Sequence, residues 1–132
     1  MLEELTFLEE GKFTQRDEVV KKKARDLAEI AQGEKSTILH EISKYLFRIA
    51  TKDRPELFRK RTASDVILSG FTTGSTDKAI VFLALARENG IPSAYIEAFE
   101  KYWLQEPKFP IQGHVFVQIF IADQWRIVEP PR

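Results

Sequence analysis

Apolar residues recur at helical spacing through most of the chain and at strand spacing near its end. Val20, Ala24, Leu27, Ala28 and Ala31 share one helical face and stop at Gly33, which predicts a first helix. Thr14 followed by Asp17 resembles a capping box at its start. A second stripe, Ile38, Leu39, Ile42, Leu46 and Ile49, begins near Ser36 and runs to the turn Asp53-Arg54-Pro55. His40 lies off the centre of that stripe and is expected to be partly exposed, with no role. Pro55 suits the first position of a short helix over 55–60. Thr62 and Asp65 make another cap signature, opening a segment from Ala63 to Leu68 that Ser69-Gly70 halts. From Ala79 to Ala86 nearly every residue is apolar, so this helix is expected to be buried on most sides. Asn89-Gly90 ends it and Ile91-Pro92 blocks any continuation. Upstream of all these, Leu2, Leu5, Phe7 and Leu8 form a short amphipathic pattern that stops at Gly11, compatible with a helical turn or a packing arm.

After Pro92 the period changes. Ser93 to Glu100 carries Tyr95, Ile96 and Phe99 in a strand-like run, and 101–112 reads as a Pro-containing loop with Tyr102 and Trp103. His114, Phe116, Gln118 and Phe120 then alternate with Val115, Val117, Ile119 and Ile121, the pattern of a strand with two distinct faces. Ala122-Asp123-Gln124 holds a turn, Trp125 to Glu129 returns as another strand, and Pro130-Pro131 ends the pairing. Helices first and an antiparallel sheet after them is an α+β arrangement, with the N-terminal helices packed on a small sheet.

Composition narrows the function classes. The 132 residues predict one domain, 1–132, with 43% hydrophobic and 30% charged residues as in an ordinary globular protein. Twenty basic residues balance twenty acidic ones, so no net field favours nucleic acid or an anionic membrane. The basic run Lys21-Lys22-Lys23 is followed by Asp26 and Glu29 and reads as a solvated helix face. There is no cysteine, which excludes disulfides, Cys-ligated zinc and thiol chemistry in this chain. The two histidines, His40 and His114, are too few for a His-rich metal site, so no metal and no cofactor are expected. The acidic start Met1-Leu2-Glu3-Glu4 lacks the basic-then-apolar pattern of a signal peptide, and no apolar run approaches membrane-spanning length. A soluble, cytoplasmic protein is the expectation.

Candidate chemistry centres on Gly70–Ala79, where a loop with two glycines hands into the apolar helix with Ser75 at the junction. Ser75 has two readings: a helix N-cap, for which serine is a preferred residue, or a nucleophile projected from a helix start. Three polar positions come together only in one hairpin register. With Ala122-Asp123 as a two-residue turn, Phe116 stands opposite Glu129 and His114 is a diagonal neighbour, about 7–8 Å away on the same face. A turn at Asp123-Gln124 moves His114 roughly 14 Å along the strand. A three-residue loop puts the pair on opposite faces. Asp77, in the first helical turn, reads as an offset to the helix dipole.

Three segments carry a family resemblance. The first is Gly74-Ser75-Thr76-Asp77-Lys78-Ala79 with Phe82-Leu83-Ala84-Leu85-Ala86-Arg87-Glu88-Asn89-Gly90-Ile91-Pro92. The second and third are Gly113-His114-Val115-Phe116-Val117 and Trp125-Arg126-Ile127-Val128-Glu129-Pro130. Together and in this order they resemble the core motifs of the transglutaminase-like superfamily. That resemblance implies a motif-bearing core over 62–131, a helical lead-in over 1–61, and a papain-like site. In such a site a helix-start Cys, a strand His and an Asp on the next strand attack an amide carbonyl, of glutamine or of a peptide bond, through a thioester. Carried across, it places Ser75 at the nucleophile position, His114 as the base and Glu129 as the orienting acid. It also implies a protein or peptide as the substrate. Three positions depart from the pattern: Ser75 replaces Cys, Glu129 replaces Asp, and Phe116 replaces the usual Trp. A hydroxyl is too weak an acid to be stored ionised and must lose its proton to a base during attack. Three readings are left open: acyl transfer or amide hydrolysis by a domain with Cys at the nucleophile position, of which this chain is a Cys-to-Ser variant without thiol activity; a peptide- or protein-binding domain without turnover; and a serine-dependent hydrolase using Ser75, His114 and Glu129.

Overall fold

A computed structural model describes residues 7–99 and 113–128, and of residues 98, 99, 113 and 114 the backbone alone. Helix α1 spans Glu18–Ile30 and is capped by Asp17, whose carboxylate accepts from the Val20 N–H. The Thr14–Asp17 capping box does not form. Thr14 is instead buried in a turn of its own, where its Oγ1 accepts from the Gly11 N–H at 2.9 Å. Helix α2 spans Lys35–Arg48 under a Glu34 cap. The Thr37 hydroxyl and the Thr37 and Ser36 amides all donate to the Glu34 carboxylate, which holds its pKa below the usual range.

Ile49 fits the apolar stripe of α2 but leaves the helix for extended backbone. It leads into strand β1, Ala50–Thr51, which pairs in parallel with β2, Phe71–Thr72. The short helix expected over 55–60 is a single 3-10 turn, Pro55–Leu57. Helix α3, Ala63–Ser69, opens with the predicted box: Thr62 accepts from Asp65 N–H while the Asp65 carboxylate accepts from Thr62 N–H. Gly70 closes α3 in the left-handed conformation, at φ 76°, where a side chain would be strained.

Helix α4, Ser75–Glu88, is the hub. Every residue from Thr76 to Ala86 is buried. Helices α1, α2 and α3 pack against it from one side, and strands β3 and β4 from the other. Phe82 and Leu85 of α4 are fully buried in one core with Ile42 and Leu46 of α2, Val66 of α3 and Val117 of β4. Strands β3 (Ser93–Phe99), β4 (Gly113–Ile121) and β5 (Gln124–Val128) form an antiparallel sheet in that order. The class is α+β, and the N-terminal helices reach the sheet through α4.

The hairpin turn is the two-residue pair Ala122–Asp123, and Gln124 already belongs to β5 opposite Ile121. Both turn residues hold positive φ, 54° and 61°, as a type I′ turn requires. Val117 and Ile119 of β4 face the core, whereas Phe120 pairs with Trp125 across the outer face, ring centroids 5.3 Å apart.

Residues 7–16 form a packing arm. Phe7 C=O accepts from Ser93 N–H, Phe13 C=O accepts from Ala63 N–H, and the Phe7 ring meets Trp125 edge-on at 5.1 Å. Arg87, at the end of α4, fixes the arm to the sheet by donating to the Ser93 carbonyl at 2.7 Å and the Glu9 carbonyl at 3.0 Å. Among the described residues no helix is long and apolar enough to cross a membrane.

Candidate functional site

Ser75 is not the N-cap of α4. Gly74 is, at φ 144°, a backbone that a side chain rarely adopts, and Ser75 is the first helical residue. Gly74 has no side chain to cap this helix, and among the described residues no side chain accepts from the N–H groups of Ser75, Thr76 or Asp77, which are left for another partner. Ser75 itself is exposed, and directly behind it the chain is buried. The positive end of the helix dipole and free backbone donors thus converge at one accessible hydroxyl.

Asp77 departs from its sequence reading. It is fully buried, and its Oδ2 accepts from Arg61 Nη2 at 3.0 Å, from Thr73 N–H at 2.8 Å and from Thr73 Oγ1 at 2.9 Å. An internal cation, Arg61, is what draws this carboxylate inward. Arg61 also donates to Ser69 Oγ at 2.8 Å and to the Phe71 carbonyl at 2.7 Å, and lies over the Phe71 ring. The pair therefore ties the end of α3, strand β2 and the Thr73-Gly74 turn to the first turn of α4. It fixes the backbone that presents Ser75. Asp77 Oδ1 and Arg61 Nε are buried without a hydrogen-bond partner among the described residues.

Lys78 is 3% exposed, with no ion-pair partner among the described residues. Burial pushes its pKa below the ordinary value. The unfolded chain then binds this proton more tightly than the folded one, so stability rises with pH from the lowered folded value up to 10.5. Lys78→Met is expected to flatten that slope and to raise the urea midpoint at neutral pH. A lower midpoint would mean that the amine makes a stabilising contact.

Beside Ser75 an interacting trio lines the inner side of β3. Glu97 Oε1 accepts from the Tyr95 hydroxyl at 2.5 Å and pairs with Arg59 Nη2 at 2.8 Å. Burial first, and then the bond to Glu97, pushes the Tyr95 hydroxyl up to about 12, so it remains a donor at neutral pH. Arg59 is held in the left-handed region at φ 58°, a strain of order 1 kcal/mol for a non-glycine residue. Tyr95 and Arg59 border a cavity of about 310 Å³ whose other walls are residues 11–14 of the arm and Thr76, Ile80 and Leu83 of α4. None of this trio is singled out by sequence pattern. The only local signal is the alternation of Tyr95 and Glu97, which places both on one face of β3.

His114 lies in β4, paired with Ala98 of β3. The hairpin has the two-residue turn that a neighbouring His114 and Glu129 require. Glu129 itself lies outside the described residues, as do Tyr102 and Trp103. No cluster of three or more His, Cys, Asp or Glu that could hold a metal ion occurs among the described residues.

The profile of the transglutaminase-like superfamily matches residues 21–130. The chain belongs to that superfamily. The transglutaminase-like domain matches no curated protein sequence. Among solved structures it is similar to a crystal structure of a proposed cysteine protease from Cytophaga hutchinsonii, at 18% identity and a TM-score of 0.67. The likeness takes in 98% of this chain and 42% of that one, so the chain spans less than half the length of that protein. What the two share is a fold, the papain-like arrangement of helices on a sheet.

Proposed function

We propose that this transglutaminase-like domain, 1–132 as one unit, performs acyl transfer or hydrolysis on peptide amides, at glutamine side chains or backbone bonds. In this reading Ser75 is the nucleophile, His114 the base and Glu129 the acid that orients it. The observation that carries it is the placement of Ser75, exposed at the first position of an uncapped helix whose preceding turn is braced by Asp77. The Ala122–Asp123 turn supports the pairing of His114 with Glu129, because theirs is the register that pairing needs. The likeness to a proposed cysteine protease from Cytophaga hutchinsonii supports a peptide over a small amide.

Ser75 Oγ adds to the carbonyl carbon as its proton passes to His114. The oxyanion accepts from the backbone N–H of Ser75, a donor that the helix leaves free. The C–N bond breaks as His114 returns the proton to the leaving amine. Water or a second amine then adds to the ester carbonyl, giving its proton to His114, and the C–O bond to Ser75 breaks as His114 returns that proton to Ser75 Oγ. The chain has no cysteine, so the thioester route is closed to it. That absence favours one other reading, a domain that binds peptides without turnover.

A p-nitrophenyl ester should acylate Ser75, with the site identified by peptide mass mapping. His114→Ala should slow the reaction by about 100-fold or more, the usual contribution of a general base. Peptide binding without any acylation of Ser75 would leave the binding-domain reading in its place.

A further inference from the structure

We propose that the cavity between the arm and α4 receives an aromatic or branched aliphatic side chain of the peptide substrate, carried by the residue whose carbonyl meets Ser75. This rests on the backbone-bond form of the acyl-transfer reading and names the substrate class for the same site.

Position is the first support. Thr76, Ile80 and Leu83 occupy helix positions i, i+4 and i+7, so they form one stripe down α4. The stripe begins at the residue immediately after Ser75. Ser75 is not itself a wall, but its chain neighbour Thr76 is, about 3.8 Å away between Cα atoms, so the side chain of a residue whose carbonyl is held at Ser75 is long enough to reach the cavity.

Size and chemistry are the second. At about 310 Å³ the cavity is at the small end of ligand sites, suited to one large side chain and too small for a nucleotide-sized cofactor. Ile80 and Leu83 are 8% and 4% exposed, and with Phe13 and the Tyr95 ring they give apolar walls. The charges at the mouth are already engaged: Arg59 with Glu97, and the Lys12 ammonium over the Phe13 ring at 5.4 Å. An aspartate or lysine side chain would leave water without gaining a free counter-charge, and burying an unpaired charge is costly. An uncharged apolar group loses nothing on entry and removes its own surface from water.

Third, the walls are built at a cost. Arg59 is held in left-handed backbone and its guanidinium is spent on Glu97, so the wall at the mouth is strained. Strain of this kind gathers at binding sites, where surrounding contacts over-determine it.

The test compares N-acetyl-glycyl, -leucyl, -phenylalanyl and -aspartyl p-nitrophenyl esters as acylating reagents for Ser75, each rate normalised to its alkaline hydrolysis. Leucyl and phenylalanyl esters should react at least about tenfold faster than glycyl, the discrimination an apolar pocket provides. The aspartyl ester should gain nothing over glycyl. Ile80→Phe, which fills the cavity, should bring the leucyl-to-glycyl ratio within about threefold of one. Equal normalised rates in the unmutated protein would overturn the proposal while leaving the acyl-transfer reading intact.

A second measurement needs neither variant nor chemistry. N-acetyl-phenylalanine amide should shift the methyl NMR signals of Ile80 and Leu83, and N-acetyl-glycine amide should not. Such shifts without acylation of Ser75 would sustain the pocket and remove the catalytic reading. No shifts, as when another segment of this chain already fills the cavity, would overturn the pocket.

Discussion

Arg61→Ala is expected to destabilise the fold by about 3–5 kcal/mol, the cost of breaking a buried ion pair from one side. Arg61 and Asp77 are 7% and 0% exposed, so the substitution leaves a buried carboxylate without its counter-charge. The substitution also leaves the Phe71 carbonyl and Ser69 Oγ without their guanidinium donors and removes a cation from the face of the Phe71 ring. Asp77→Asn should cost less, because an amide oxygen still accepts from Thr73, although Arg61 then loses its counter-charge. Arg61→Met combined with Asp77→Leu should be less damaging than the sum of its parts, since neither charge is stranded. Urea unfolding of six proteins, the parent, these three variants and the single substitutions Arg61→Met and Asp77→Leu, measures all three statements. A loss below about 1 kcal/mol for Arg61→Ala, within the range of a surface pair, would mean that water reaches the pair.

Ser75→Cys is expected to create a thiol that titrates below about 7.5, where an unperturbed cysteine titrates near 8.5. The physical cause is the open start of α4: first-turn N–H groups uncapped among the described residues, the dipole's positive end at the sulfur, and the carboxylate of the first turn, Asp77, already paired with Arg61. Thiolate absorbance followed against pH gives the value directly, and the rate of iodoacetamide alkylation at pH 7 should follow it. A midpoint near 8.5 would show that the helix start does not stabilise an anion. That result would also remove the physical basis for an oxyanion at the same place. Adding His114→Ala to the variant should raise the midpoint if an imidazolium shares in holding the thiolate.

What local pattern encodes, local pattern predicts. The apolar run Ala79–Ala86 marks α4 as buried because no face of it is polar enough for water, and Thr62 with Asp65 opens α3 as their spacing requires. The hairpin could be tested in advance because each candidate turn implies a distinct register, and Phe120 opposite Trp125 is one of those registers. Errors fall where a distant residue competes with a near one. Ile49 has the right period for α2, but the parallel pairing of Ala50 with Phe71 draws the chain out of the helix. Thr14 has the right spacing to cap with Asp17, but its hydroxyl is used by Gly11. Asp77 reads as a dipole partner because Arg61 is sixteen residues upstream, brought to it only when Gly70 reverses the chain. The exposed helix start at Ser75 was legible from Gly74-Ser75, although Gly74 and not Ser75 is the cap. The cavity beside it was not, since its outer wall depends on the arm bonding to Ser93 and Ala63.

The edge-on contact between Phe7 and Trp125 makes the molecule its own spectroscopic reporter. With Trp103 replaced by phenylalanine, Trp125 becomes the sole indole, and its emission depends on whether the arm lies against it. The same arm supplies the outer wall of the cavity beside Ser75. One fluorescence channel therefore reports whether the segment that forms that wall is seated.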